Sequence, residues 1–407
     1  MTRTLARIVA TTDVHSALAD AGGMLAHLHD LRPTSLIVDC GDFFEGTGYY
    51  QLGRGRLERE ILTTLYDVLA PGNHGWPHYF EPGLHQLTVC ANARSDADGK
   101  PLFDRLRILD IVGRRVAVTA VIGRQAFEAI PADQRRGQHV IDPVAALREL
   151  LLEHHHHIDA WMVLSHSGFE SDLELAAACP FADVIFAGHC HSEFYGPAHV
   201  GDTLVVKGAE LAAGYVAAEP VGAGWAAHTH RFPHAAGLPD SLAALGGKIA
   251  ATGRTLATPL GPVNEPHRNH VVNRRLLLTE VTSRLHTGLG AGAVILNETA
   301  LRAAWLGDVL TLGDLLAVEP FGNQLVHAFL PDEHLAHLGG LLDYLTERSG
   351  PLVTAPHPLP AGIRSVLTTS YLADTYLGGR THQAGLQLSQ AVRHVLSAAP
   401  SAEGDLR

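Results

Sequence analysis

The chain has 407 residues, of which 46% are hydrophobic and 18% are charged. This composition excludes a mainly disordered protein, and at about 100–200 residues per domain the length predicts two or three domains. The formal net charge of −12 argues against nucleic acid as a partner, because a phosphate backbone requires a cationic surface.

The cysteines and the amino-terminal sequence exclude further classes of protein. The four cysteines form no C-x-x-C pair, so we expect neither a disulfide framework nor a structural zinc site. The amino terminus has no apolar core of signal-peptide length, and no segment reaches the roughly 18 uninterrupted apolar residues of a membrane helix. We therefore expect a cytoplasmic protein with no membrane partner. The sequence does not specify an oligomeric state.

Short β-branched runs alternate with helical stretches through the first half of the chain. The predicted strands are 6–12, 35–40, 115–121, 160–165, 183–187 and 203–207. The predicted helices are 21–31, 56–65, 143–154 and 171–178. This alternation is typical of an α/β layer architecture, in which functional groups lie beyond the ends of buried strands.

The composition changes after residue 232. Residues 233–260 are rich in alanine, glycine and proline, and 238–256 fits one helix, so we predict an interdomain linker there. It separates a first domain, 1–232, from a second α/β domain, 261–400, with predicted strands at 293–296, 325–329 and 365–369.

Five short polar motifs follow predicted strands or helices of the first domain. They are Asp13-Val14-His15, Gly41-Asp42-Phe43-Phe44-Glu45-Gly46, Gly72-Asn73-His74, His166 and Gly188-His189-Cys190-His191. They supply three oxygen and four nitrogen donors on one predicted sheet edge, which suffices for two metal ions if one carboxylate bridges them. The candidate ligands are Asp13, His15, Asp42, Asn73, His166, His189 and His191.

The mixture of donors indicates the metal and the chemistry. Imidazole and carboxylate together suit Mn, Zn, Co or Fe better than Ca or Mg. Two such ions about 3.5–4 Å apart serve in-line displacement at phosphorus. The sequence therefore predicts a hydrolase with two divalent cations.

The order D-x-H, G-D-x-x-x-G, G-N-H, H and G-H-x-H closely resembles the calcineurin-like metallophosphoesterases over residues 6–215. The resemblance implies a four-layer αββα sandwich. It also implies that Asp13, His15, Asp42 and His191 hold one metal, and that Asp42, Asn73, His166 and His189 hold the second. His74 would stabilise the transferring phosphoryl oxygens or protonate the leaving alkoxide.

The second domain resembles the carboxy-terminal domain of the two-domain 5′-nucleotidases over residues 258–385, chiefly through Pro320-Phe321-Gly322-Asn323-Gln324-Leu325-Val326. The resemblance implies an α/β substrate domain for a small nucleotide-like substrate. Phe321 and Tyr371 would sandwich the base, Asn323 would hydrogen-bond it, and Arg302 would meet the phosphate or its surroundings.

Two departures from the family pattern bear on mechanism. The family places acidic residues after the G-N-H triplet, where this chain has Gly75, Trp76 and Pro77; we consider His78 or Glu81 as replacements. The family's Gly-Gly-Asp reads Gly378-Gly379-Arg380 here, which inverts the charge expected beside the base or ribose.

These observations favour a phosphomonoesterase that removes the 5′-phosphate from a nucleotide or modified nucleotide, with a role in biosynthesis. One alternative is a hydrolase of a phosphodiester, a pyrophosphate or a sulfur analogue in a nucleotide conjugate. A second alternative is a catalytically weak relative that binds metal and nucleotide.

Overall fold

The computed structural model describes residues 3–192, 194–234, 237–332 and 338–397, and the chain divides into two compact units. The first unit comprises the chain up to Glu45, Gly53–Ile130 and Gln134–Ala251, and the second comprises Gly46–Leu52, Pro131–Asp133 and the chain from Thr252. The chain passes from the first unit to the second between Ala251 and Thr252, which lie within the range 233–260. Residues 46–52 group with the second unit, although they lie within the range predicted for the first domain.

The first unit contains most of the parallel strands. Its strands are β1 (Arg7–Thr11), β2 (Ser35–Asp39), β3 (Val68–Leu69), β4 (Ala93–Ser95), β5 (Leu106–Ile111), β6 (Arg114–Ile122), β7 (Gln138–Val140), β8 (Ala160–His166), β9 (Val184–Ala187), β10 (Ala198–Val200), β11 (Thr203–Lys207), β12 (Gly214–Val221) and β13 (Gly224–Arg231). The helices of the chain up to and within the linker are α1 (Gly22–Leu31), α2 (Gly48–Gly53), α3 (Arg56–Leu65), α4 (Pro82–His85), α5 (Arg124–Ala129), α6 (Pro143–His154), α7 (Phe169–Ala178) and α8 (Ala243–Leu256).

Two sheets of the first unit pack face to face. Their strand orders are β13-β12-β1-β2-β3 and β10-β11-β9-β8-β6-β5. Ile8 of β1 and Leu164 of β8 belong to one apolar core between the sheets. Val163, the preceding residue of β8, points to the opposite face and packs with Leu147 of α6, as the two-residue period of a strand requires. Helices therefore cover this sheet from outside, and the predicted α/β layer architecture is confirmed.

The second unit is built on one five-stranded sheet of order β20-β16-β21-β19-β22. Its strands are β14 (Pro259–Pro262), β15 (His270–Val271), β16 (Val294–Asn297), β17 (Trp305–Leu306), β18 (Val309–Thr311), β19 (Gln324–Phe329), β20 (Leu352–Ala355), β21 (Ser365–Thr369) and β22 (Thr381–Gln387). Its helices are α9 (Arg274–Leu289), α10 (Leu312–Val318), α11 (Leu338–Ser349), α12 (Ser370–Tyr376) and α13 (Leu388–Leu396).

Apolar cores lie on both faces of this five-stranded sheet. Leu296 of β16 packs in a core with Leu278 of α9, whereas its neighbour Ile295 packs in a second core with Leu341 of α11. The second unit is therefore also an α/β layer structure. Within the part of the chain that the structure describes, no helix has the length and apolar character needed to cross a membrane.

Candidate metal centre

The polar side chains predicted in the first unit follow the carboxyl ends of parallel strands. β1, β2 and β3 run parallel in one sheet, and β6, β8, β9 and β11 run parallel in the other. Asp13, Asp42 and His74 follow β1, β2 and β3, His166 ends β8, and His189 follows β9. Parallel strands place the loops that follow them at one edge of a sheet.

Asp42 lies at the centre of this cluster. Its Oδ1 accepts a hydrogen bond of 2.8 Å from the backbone N–H of His74. Its Oδ2 lies 3.3 Å from His166 Nε2, 3.8 Å from His15 Nε2 and 3.9 Å from His74 Nε2. The side chain is almost completely buried, so three imidazoles surround one buried carboxylate.

One group of candidate ligands consists of Asp42, His166 and His189, whose donor atoms lie within 4.8 Å of one another. Asn73 joins this group, because its Oδ1 lies 3.2 Å from His166 Nε2. The backbone carbonyl of Cys40 accepts a hydrogen bond of 2.8 Å from His166 Nδ1, which leaves Nε2 as the nitrogen that faces the site. The structure thus brings together all four residues predicted for the second metal.

The other group consists of His15, Asp42 and His74, whose donor atoms also lie within 4.8 Å of one another. Asp13 is adjacent, since its Oδ1 lies 3.9 Å from His15 Nε2. The ring of His191 stacks on that of His15 with 5.5 Å between centroids, but its side chain is 48% exposed. The predicted first-metal residues therefore lie together, with His74 as an additional neighbour.

Several of these residues have a backbone conformation that L-residues seldom adopt. Asp13, His15, Asp42 and His189 have φ of 50°, 49°, 57° and 73°. Each left-handed residue other than glycine costs roughly 1–2 kcal/mol, and such strain concentrates at functional sites. The loops thus hold their polar side chains together at a cost in folding free energy.

The Asp42 carboxylate and the imidazoles of the cluster shift one another's pKa values. Burial by itself disfavours the Asp42 carboxylate, but His166 and His74 hold its pKa well below the usual range. Burial likewise opposes the charged form of His166, and the Asp42 carboxylate nevertheless raises the pKa of His166 to about 9. Burial lowers the pKa of His189 to about 4, which keeps its nitrogen available as a ligand. These donors fit divalent transition metals, which replace the proton as the compensating charge.

A carboxylate beside His74 is present, although the sequence analysis did not identify it. Glu45 Oε2 lies 3.0 Å from His74 Nδ1. The two suggested replacements contact each other, since His78 Nδ1 lies 2.7 Å from Glu81 Oε1, and Glu81 also accepts a hydrogen bond from Arg59. Glu45 stands in the Gly41–Gly46 motif, but the motif alone gave no sign that the turn brings its carboxylate to His74.

Glu210 is a second residue that sequence reasoning missed. Its carboxylate contacts His191 Nδ1 and the ammonium group of Lys207. Lys207 is completely buried and donates a further hydrogen bond of 3.2 Å to the carbonyl oxygen of Ser192. A carboxylate behind a metal-ligating histidine orients its ring. Glu210 lies 19 residues from His191, and no local pattern connects the two.

The residues predicted to bind substrate all belong to the second unit. The guanidinium carbon of Arg302 lies 5.6 Å from the ring centroid of Phe321. Asn323 donates its side-chain amide to Glu319 Oε1 over 3.1 Å. The hydroxyl groups of Tyr371 and Tyr376 lie 3.2 Å apart. The structure therefore pairs Arg302 with Phe321 and gives Asn323 and Tyr371 hydrogen-bond partners of their own.

The sequence of the first unit is similar to that of a known family. Residues 6–193 match the family described as calcineurin-like phosphoesterase. Over 193 residues the chain is 28% identical to a protein of Treponema pallidum (strain Nichols) named "Probable 5′-nucleotidase", a match that covers 42% of this chain and 32% of that protein. The chain thus spans about a third of the length of the curated relative it matches.

Solved structures have a fold similar to that of both units. A 5′-nucleotidase precursor from Thermus thermophilus superposes with a TM-score of 0.72 at 19% identity, and the match covers 96% of each chain. The sulfate thiohydrolase SoxB of Thermus thermophilus superposes with a TM-score of 0.73 at 15% identity, and the match covers 98% of this chain and 95% of that one.

Substitution of Gly72 tests whether the cluster is a metal centre. A Cβ atom at Gly72 would lie 2.1 Å from Asp42 Oδ1 and 2.2 Å from the Asp42 backbone nitrogen, so Gly72→Ala must displace Asp42. We expect the purified variant to bind fewer than two ions per chain by elemental analysis, while it still unfolds cooperatively. The matched control is Gly83→Ala, whose Cβ would meet Thr63 Cγ2 at 3.7 Å. Equal metal content in Gly72→Ala and Gly83→Ala would contradict the assignment.

Proposed function

We propose, from the premise that the chain belongs to the calcineurin-like metallophosphoesterases of the two-domain 5′-nucleotidase family, that it removes the 5′-phosphate from a nucleotide or modified nucleotide. The observation that carries the proposal is the pair of donor groups that share Asp42, one with His15 and His74 and the other with His166 and His189. Shared carboxylates of this kind suit two divalent cations better than one.

The metal centre supplies the first part of the proposed chemistry. Two divalent cations, when bound, provide Lewis acidity and an activated water for attack on phosphorus. Asp42 would bridge them, with Asp13, His15 and His191 on one side and Asn73, His166 and His189 on the other. The Cys40 carbonyl contacts Nδ1 of His166 and the Glu210 carboxylate contacts Nδ1 of His191, and such contacts orient ligand rings for metal binding.

His74 supplies the second part. Its Nε2 lies 3.9 Å from Asp42 Oδ2, at the edge of the donor cluster, and its side chain is 22% exposed, which leaves access from solvent. An imidazole in this position can protonate the leaving 5′-oxygen or stabilise the transferring phosphoryl oxygens. A 5′-alkoxide is a poor leaving group, so its expulsion depends strongly on such a proton donor.

The second unit supplies recognition of the base. Phe321 offers a ring for stacking, Tyr371 offers a second one, and the guanidinium of Arg302 over Phe321 provides a cation suited to phosphate oxygens. Since the Asn323 amide nitrogen is engaged by Glu319, its carbonyl oxygen is the group that would accept a hydrogen bond from the base.

Phosphate release from a substrate panel tests the proposed reaction. Metal-stripped protein is reloaded separately with Mn²⁺, Co²⁺ and Zn²⁺ and assayed on nucleoside 5′-monophosphates, sugar phosphates and a nucleotide diphosphate conjugate. We expect metal-dependent release of inorganic phosphate and nucleoside from the monophosphates. We also expect His74→Ala to lower that turnover by about 10²–10⁴-fold, since it removes the proton donor. Turnover of the conjugate alone, or no metal-dependent turnover of any substrate, would overturn the proposal.

Truncation of Phe321 tests base recognition. Loss of one stacked aromatic costs about 1–3 kcal/mol per base, so we expect Phe321→Ala to raise KM for a nucleoside monophosphate by roughly 5- to 150-fold. Hydrolysis of p-nitrophenyl phosphate, which carries no base, should be unchanged. Trp305→Ala, which truncates a 62% exposed aromatic of the same unit, is the control. An equal rise in KM for both phosphates would contradict stacking on Phe321.

A further inference from the structure

We infer that Glu45 is a positioning residue for His74: its carboxylate holds the Nδ1–H of the imidazole, so that Nε2 donates the proton to the leaving oxygen. The inference rests on the function proposed above and deepens it. It accounts for a chain in which Gly75, Trp76 and Pro77 follow the histidine, since none of these side chains can hold the ring in one tautomer.

Both oxygens of the Glu45 carboxylate have defined contacts. Oε2 lies 3.0 Å from His74 Nδ1, and Oε1 accepts a hydrogen bond of 3.1 Å from the backbone N–H of Gly75. Asp42 Oδ1 accepts the backbone N–H of His74 over 2.8 Å. Asp42 therefore holds the main chain of His74, whereas Glu45 contacts both the His74 ring and the main chain of Gly75.

The conformation of the turn supports a specific role for Glu45. Its φ is 60°, in the left-handed region, and the following Gly46 has φ of 106°. For a residue other than glycine this conformation costs roughly 1–2 kcal/mol. Among the described residues, the ion pair of Glu45 is the one with His74. The strained turn thus presents its carboxylate to the proposed proton donor.

The contact has a direct chemical consequence. In the protonated ring both nitrogens carry a proton, and Glu45 accepts the one on Nδ1. As the bond between phosphorus and the leaving oxygen breaks, the Nε2 proton moves to that oxygen and Nε2 keeps the electron pair of the N–H bond. The ring that remains is neutral with its proton on Nδ1, the tautomer that a carboxylate at this position stabilises.

Glu45→Gln separates this role from packing. Because the Gly75 N–H requires an acceptor, the glutamine carbonyl oxygen would take the place of Oε1, and the amide NH₂ would face His74 Nδ1. An NH₂ group there opposes a proton on Nδ1 and therefore disfavours both the protonated ring and the product tautomer, while size and turn geometry are kept.

Two substrates with different leaving groups measure the effect. For a nucleoside 5′-monophosphate, we expect Glu45→Gln to lower kcat about 10- to 10³-fold with KM within about threefold. For p-nitrophenyl phosphate, whose leaving group needs little protonation, we expect kcat within about threefold of the unsubstituted protein. Glu60→Gln, which neutralises a surface glutamate paired with Lys248, should leave both rates unchanged.

A double substitution shows whether Glu45 acts through His74. If it does, Glu45→Gln causes no further loss in the His74→Ala background, because coupled residues are not additive. A further loss in that background, an equal loss of kcat on both phosphates, or loss of bound metal in Glu45→Gln would overturn the inference.

The protonation of the His74 imidazole can also be measured by NMR, independently of enzymatic activity. Long-range ¹H–¹⁵N spectra of the full chain labelled with ¹⁵N-histidine report which nitrogen of each imidazole carries a proton, and the signal missing from His74→Ala identifies His74. We expect Nδ1 to be protonated and this state to be lost in Glu45→Gln. An unprotonated Nδ1, or no change in Glu45→Gln, would overturn the inference, whereas a failure of the proposed function would appear separately as absent metal-dependent turnover.

Discussion

A single buried carboxylate, that of Asp42, is the constraint on which the arrangement of the candidate metal centre depends. It lies 3.3 Å from His166 Nε2 and accepts a hydrogen bond of 2.8 Å from the backbone N–H of His74, so the end of β8 and the loop after β3 both reach it. Burial of an anion is costly unless opposite charge accompanies it. The surrounding imidazoles supply part of that charge, and divalent cations would supply the rest.

The same constraint explains why the loops are strained. Four of the predicted ligands have left-handed backbones, and Gly72 leaves the space that the Asp42 carboxylate occupies. The two packed sheets stabilise these loops, because the strands that precede them are almost entirely buried. The strained loops of the candidate metal centre thus offset part of the folding free energy that the apolar core contributes.

Much of this could be predicted from the sequence, for physical reasons. Buried strands reveal themselves by β-branched runs, and in a parallel sheet the residues just after them share one edge, which is why the sequence alone suffices to group Asp13, Asp42 and His166. The partners of these residues could not be predicted. Glu45 reaches His74 through the particular path of one turn, and Glu210 reaches His191 through tertiary packing, and neither leaves a periodic signal.

Diffraction at metal absorption edges, from crystals of the chain loaded with Mn²⁺ or Co²⁺, would test the shared carboxylate most directly. The prediction is two anomalous peaks that both lie against Asp42, one also near His15 and Asp13 and the other also near His166, His189 and Asn73. A single peak, or two peaks of which only one touches Asp42, would contradict a dinuclear centre organised by this carboxylate.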